Sequence, residues 1–298
     1  MAVVTSDFLA ATYSGLRAIY GETFEATNPE WMKIAMEALS DTETEDYSWM
    51  AEVPGMKEWV DERTLEALKQ FAFSIRNKDW ESTISIDRNA MEDNKLNQIK
   101  PRIQDLAMAA KMHPDELVFA LLAIGFSTTC FDGQYFFDTD HPLADGTTQS
   151  NKITLLLDAT GLSAALAVGR RLKGYTGRAL NIVFDTLCVP PELEITGRKL
   201  LFAEFNDAGA TNIMKGILEN LVVSPYFTDT NNWFVCCTKR PLKPIILQMR
   251  KRPDFIALDR PDDFNAFMKK QFLYGVDARY NVGFGMYQLA VGSEVTGA

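Results

Sequence analysis

An α+β fold is what this sequence predicts, on three observations. Apolar residues recur at helical spacing in some segments and alternate with period two in others. These helical and strand-like segments follow one another in mixed order, without the regular βαβ succession of a doubly wound sheet. No internal repeat or low-complexity stretch interrupts them. The 298 residues (33.5 kDa) suffice for one large or two modest domains with a real core.

Taken in order, residues 5–20 and 28–40 read as short amphipathic helices, the second entering through Asn28 and Pro29. The loop over 40–46, after the second helix, is polar and acidic. Neither helix carries enough large apolar residues to make a core alone. This region must therefore lie across something, either its own body or a neighbouring subunit, and the sequence leaves that choice open. In residues 71–88, Phe71, Phe73 and Ile75 alternate, as do Ile84 and Ile86 after the polar break Asn77, Lys78 and Asp79. That pattern predicts a charged β-hairpin, which is marginal in water unless it lies on a surface.

Leu96, Ile99, Ile103, Leu106 and Ala110 then mark a helix that continues through HPDELVFALLAIGF to a stop at Gly125. Pro101 and Pro114 allow one bent helix or two. A turn-rich aromatic stretch around Asp132 and Gly133 comes next. Beyond it the pattern predicts a helix from Leu162 to Lys173, a buried strand in ALNIVFDTLCV and a helix opened by Pro190 and Pro191. Strands are expected in ILENLVVSPY, NNWFVCCT, PIILQMRK and QFLYGVDARYNVGFGMYQLAV.

Composition narrows the function. The net charge is −10, and residues 21–66 account for all of it, with thirteen acidic and three basic side chains that leave 27 of each sign elsewhere. Phosphate binding rests on lysine and arginine, so a sequence reader of DNA is not expected. The basic run QMRKRP (248–253) reads as solvated surface. No apolar stretch is long enough for a membrane span, the start lacks the basic region of a secretory signal, and folding in a cytoplasm is the expectation. Cys130, Cys188, Cys236 and Cys237 form no CxxC pair and read as buried thiols.

Chemistry finds little footing. Asp138, Asp140 and His141 place two carboxylates and an imidazole within four residues, but runs of this kind with Pro142 are characteristic of Asx-type turns. His113, also before a proline, reads as a helix-capping residue. Phosphate-loop, dinucleotide and hydrolase-elbow motifs are absent, and the GxG in VGFGM (282–286) sits in a strand-like context without a following helix. No catalytic, cofactor or metal residue is expected.

Taken together, WVDERTLEALKQFAFSIRNKDWESTISIDRNAMEDN, HPDELVFALLAIGF, CFDGQYFFDTDHP, PIILQMRKRPDF and FLYGVDARYNVGFGMYQLA resemble the Mu-like major head subunit family (gpT) between about Trp49 and Ala290. The resemblance implies the Hong Kong 97 phage capsid fold. It also implies an N-terminal arm over 1–70, an extended E-loop over 71–95, a peripheral domain with a spine helix over 96–160 and 259–298, and an axial domain over 161–258. The implied function is that of a major capsid protein: hexamers and pentamers assemble in the host cytoplasm into an icosahedral head enclosing double-stranded DNA, with no membrane association. Implied partners are a portal, a scaffold or protease and decoration proteins, with non-specific contact to packaged DNA. Phe71, Phe73, Ile75, Lys78, Trp80, Ile84 and Ile86 would be the contacts between subunits. Lys78 at a hairpin tip raises the question of a crosslink, but a solvated turn is the better explanation of one lysine there and no crosslink is predicted. Two alternatives stand beside this reading: a nanocompartment shell of the same fold, and a metal-dependent enzyme built on Asp138, Asp140 and His141.

Overall fold

The N-terminal helical period becomes α1 (Ser6–Ala26) in a computed structural model that describes residues 6–47, 73–93, 95–206 and 208–295. Leu9, Leu16 and Tyr20 of α1 are buried with Ile99, Ile103 and Leu106, so the open choice resolves in favour of the chain's own body. The helix expected over 28–40 does not form. A single 3-10 turn, Trp31–Lys33, leads into β1 (Ala35–Leu39). Two distant partners override the local helical pattern. Asp115 accepts the backbone N–H groups of Trp31 (2.6 Å) and Glu30 (3.2 Å), and residues 35–39 pair in parallel with 245–249.

The predicted hairpin is also replaced. Strand β2 (Thr44–Asp46) pairs antiparallel with β3 (Ser74–Arg76), whereas β4 (Lys78–Asp87) pairs along its whole length with residues 271–280. Between β3 and β4, Asn77 is buried instead of turning in solvent. Its Nδ2 donates to Ser40 Oγ and Thr42 O, both at 2.9 Å, and its Oδ1 accepts from Gln248 Nε2 at 2.8 Å. Lys78 therefore sits in register with Tyr280 and not at a tip, and residues 78–87 are a strand of the main sheet and not a projecting loop. The short α2 (Arg88–Glu92), capped by Asp87, leads to α3 (Leu96–Ala123), which runs unbroken through Pro101 and Pro114 for about 42 Å.

After α3 come the short pairs β5 (His141–Pro142) with β6 (Thr148–Gln149), then β7 (Lys152–Ile153), α4 (Ala159–Arg171), β8 (Thr186–Val189), α5 (Glu194–Phe202), β9 (Asn220–Val223) and β10 (Trp233–Cys236). Of ALNIVFDTLCV only the last four residues are strand. The chain closes with β11 (Ile245–Leu258), α6 (Phe264–Lys269), β12 (Gln271–Phe284) and β13 (Ala290–Ser293).

Beside the two-stranded pairs β2-β3 and β5-β6, the described residues form two larger sheets, in the orders β1-β11-β12-β4 and β7-β13-β10-β8-β9. Residues 245–258 belong to the long four-stranded sheet, and β13 lies in the five-stranded one. One core joins the two sheets: Cys188, Phe234 and Cys236 from one pack with Ile245, Leu247 and Phe284 from the other around Phe119, Phe136 and Phe137. A second core lies between the five-stranded sheet and α4 and α5 (Leu162, Leu187, Leu201, Trp233). A third, holding Ile86, Phe255, Phe272 and Tyr274, lies beneath α1 and α3. All four cysteines are free and buried.

Candidate functional site

The segment that looked most catalytic folds into a structural knot. Asp138 accepts the backbone N–H of Tyr135 (3.2 Å) and Thr139 (2.7 Å), and Asp140 is exposed with a hydrogen bond from the Thr139 hydroxyl. Neither carboxylate approaches His141 as a co-ligand. His141 is fully buried and reaches instead to Asp132, its Nδ1 at 2.7 Å from Oδ2, and to Asn151, its Nε2 at 3.1 Å from Oδ1. Its ring lies flat on Tyr287, with centroids 3.5 Å apart and planes 4° from parallel. Asn151 faces the ring with its oxygen because its Nδ2 is engaged by the carbonyls of Phe136, Tyr287 and Ala290. The cluster thus ties the 130s loop to β7 and to the start of β13.

Cys130, Asp132 and His141 have one donor atom each within 4.8 Å of one another, a spacing that could hold a metal ion. Their hydrogen bonds point elsewhere. Burial drives the Cys130 thiol far up, so it keeps its proton and donates to Asp132 Oδ1 (3.1 Å). Burial also pushes the Asp132 carboxyl up, but the bond and charge of His141 outweigh it and hold the carboxyl below its usual range. A carboxylate oxygen and an imidazole nitrogen 2.7 Å apart already satisfy each other by a direct hydrogen bond.

His113 does not cap a helix. It lies inside α3, its Nδ1 is 2.6 Å from the Tyr280 hydroxyl, and its ring packs against Trp80 at 4.5 Å between centroids. Burial lowers its pKa, against a smaller upward pull from Glu116. The three rings line a groove of about 330 Å³ between α3 and the long sheet, with Ala109, Met112 and Pro253 on its walls.

The expected subunit contacts separate by burial. Ile75 and Ile86 are buried in the chain's own cores. Trp80 is half-buried and its Nε1 donates to Tyr280 O (2.9 Å). Phe73 and Ile84 are half-buried, Lys78 is exposed, and Phe71 lies outside the described residues. The basic run 250–252 is paired with carboxylates: Arg250 with Asp41 (3.4 Å), Lys251 with Asp277, and Arg252 with Glu37 (2.6 Å). Among the large apolar side chains that are exposed are Ile195, Phe205 and Ile213 around α5, and Phe264, Phe267 and Met268 on α6. The i, i+3, i+4 spacing of the latter three would read in sequence as an inward stripe, which is why pattern alone passes over them.

A family model described as the Mu-like prophage major head subunit gpT matches residues 9–155, 152–227 and 228–296. The Mu-like prophage FluMu major head subunit of Haemophilus influenzae is 31% identical over 293 residues, which are 97% of this chain and 74% of that protein. The major capsid protein of Escherichia phage Mu is 29% identical over 292 residues, with the same shares. Among solved structures, a chain of the procapsid of bacteriophage JBD30 superposes with a TM-score of 0.64 at 27% identity, covering 99% of this chain and 77% of that one.

Proposed function

Because the chain belongs to the Mu-like prophage major head subunit (gpT) family, we propose that it acts as the major capsid protein of a Mu-like phage, many copies of which build an icosahedral shell. Its fold is the phage capsid fold of the Hong Kong 97 type, and it is a structural subunit, not an enzyme. The observation that carries this reading is the match to that one family from residue 9 to residue 296.

Within that fold the long sheet with α3 serves as the peripheral domain, and the five-stranded sheet with α4 and α5 as the axial domain. Copies associate as hexamers and pentamers around double-stranded DNA, with a portal, a scaffold or protease and decoration proteins as partners. Contact with the DNA is non-specific. A net charge of −10 and a basic run already paired with carboxylates support a wall that does not grip phosphates. Four buried free thiols suit folding and assembly in the host cytoplasm. Negative-stain electron microscopy with sedimentation, on the protein alone and coexpressed with its neighbouring genes, tests the proposal. Closed shells or regular capsomers are expected, and a uniform small oligomer under every condition would refute it.

A further inference from the structure

Around α3, Ala109, Met112, His113 and Glu116 fall within about 100° of one another and so share one face. That face looks onto the groove of about 330 Å³ above the long sheet, where Val276 and Ala278 are buried in the floor. Rings gather at one end of it. Trp80 and His113 lie 4.5 Å apart between centroids and His113 and Tyr280 5.7 Å, while Tyr226, in the loop after β9, joins the lining. Glu116, one turn along from His113, acts on all three titratable rings. The Tyr226 and Tyr280 hydroxyls, raised chiefly by burial, are raised further by its charge, and it pulls upward on His113 against the larger effect of burial.

Nothing in the groove answers that charge. Among the described residues no lysine or arginine lines it, and the exposed Glu116 carboxylate has neither an ion pair nor a hydrogen bond. Burial keeps His113 uncharged at neutral pH. Glu81, at the rim, turns to the other face of the sheet, where it accepts from Thr83 Oγ1 (3.0 Å). Electron-rich rings beside an unpaired carboxylate attract an organic cation, and apolar walls favour one that carries an alkyl stem. From Glu116 back to Ala109 the helix runs about 10 Å, room for a chain of about six carbons with its head group. We propose that this groove binds a primary alkylammonium ion, the head among Trp80, Tyr280 and Glu116 and the stem along Met112, Ala109 and Val276. The proposal goes beyond the capsid reading and does not depend on it.

Calorimetric titration of the full-length chain with hexylammonium chloride tests the site, beside hexan-1-ol, which has the stem without the charge. One ion should bind per chain with a Kd on the order of 0.1–1 mM, as suits so small a ligand. Hexan-1-ol should bind about tenfold more weakly or worse. Glu116→Gln, an isosteric change at an exposed residue, should weaken hexylammonium about fivefold and leave the thermal midpoint unchanged. Ala109→Trp should fill the groove and abolish binding. Three results would each overturn the proposal: no saturable uptake up to about 10 mM, hexan-1-ol binding as well as the ammonium, or both variants binding as the wild type does. Should Ala109→Trp fail to fold, Glu116→Gln decides alone. Shell assembly is a separate readout, so failure here leaves the capsid reading standing.

Discussion

Replacing His141 with alanine should be among the most damaging single changes outside the apolar cores. The substitution takes from the Asp132 carboxylate, whose side chain is only 4% exposed, its shortest hydrogen bond. Removing one partner of a buried pair costs about 3–5 kcal/mol. Loss of the flat stack on Tyr287 adds about 0.5–1.5 kcal/mol. The expected total, about 4–6 kcal/mol, is a large fraction of the roughly 5–15 kcal/mol that holds a folded domain together. In urea, followed by tryptophan fluorescence of the unassembled chain, this should lower the midpoint by on the order of 1–2 M. His141→Phe, which keeps the stack, should recover only the smaller share. His141→Ala/Asp132→Ala should cost clearly less than the sum of its singles, because removing both partners leaves no stranded charge. A loss below about 1 kcal/mol for His141→Ala, or strict additivity in the double variant, would refute the view that this pair holds the 130s loop to β13.

Neighbouring geometry has further measurable consequences. Burial holds folded His113 below its ordinary 6.5, so on acidification the unfolded chain takes up the proton first. Stability should fall as the pH drops below 6.5, and thermal midpoints at pH 7.5 and 5.5 should differ more in the wild type than in His113→Gln. Glu45, held at about 2 by the N–H groups of Asp41 and Thr42 and the hydroxyls of Thr42 and Ser40, contributes above its usual 4.5 and ceases to as the pH falls toward 2. Glu45→Gln should flatten that part of an acid titration. Two glycine-to-alanine changes should move stability in opposite directions. At Gly15 in α1 a Cβ meets nothing within 4 Å, and alanine should add about 0.5–1 kcal/mol, whereas at Gly161 it would stand 2.2 Å from Leu156 O and cost about 1–3 kcal/mol. Chemical denaturation of both variants measures the difference.

Legibility in the sequence tracked how local each cause was. The whole of α3 could be read because its apolar spacing is internal to the helix, and the strands at 220–223, 233–236 and 271–284 and the first half of 245–258 were marked by their own apolar runs. Residues 28–40 misled because what makes them a turn and a strand is Asp115 and the edge of β11, both remote in sequence. Asn77 misled for a related reason, since a polar break reads as a turn unless Gln248 and Ser40 are known to be waiting for it. In the DTDH run Asp138 accepts from the N–H groups of Thr139 and Tyr135 and does not form the expected Asx turn, and the partners that bury His141 stand nine residues before it and ten after, in a pattern no motif encodes. Phe264 and Phe267 show the converse limit, where an ordinary helical stripe faces outward because one asparagine fixes the rotation of the helix.

The parallel pairing of β1 with β11 sets a clock on the birth of each copy. Ala35 finds its partner only when Ile245 has been made, β4 waits for β12, and the five-stranded sheet waits for β13 at 290–293. At bacterial rates of synthesis, β1 emerges on the order of 10–50 s before the last of these strands exists. A ribosome-bound chain therefore has no finished sheet to offer a neighbour, however crowded the polysome. Pairings this distant in sequence also form slowly once the chain is free. A chain that lacks β12 leaves β4 without its partner and β11 without its antiparallel one, and its four-stranded sheet cannot form.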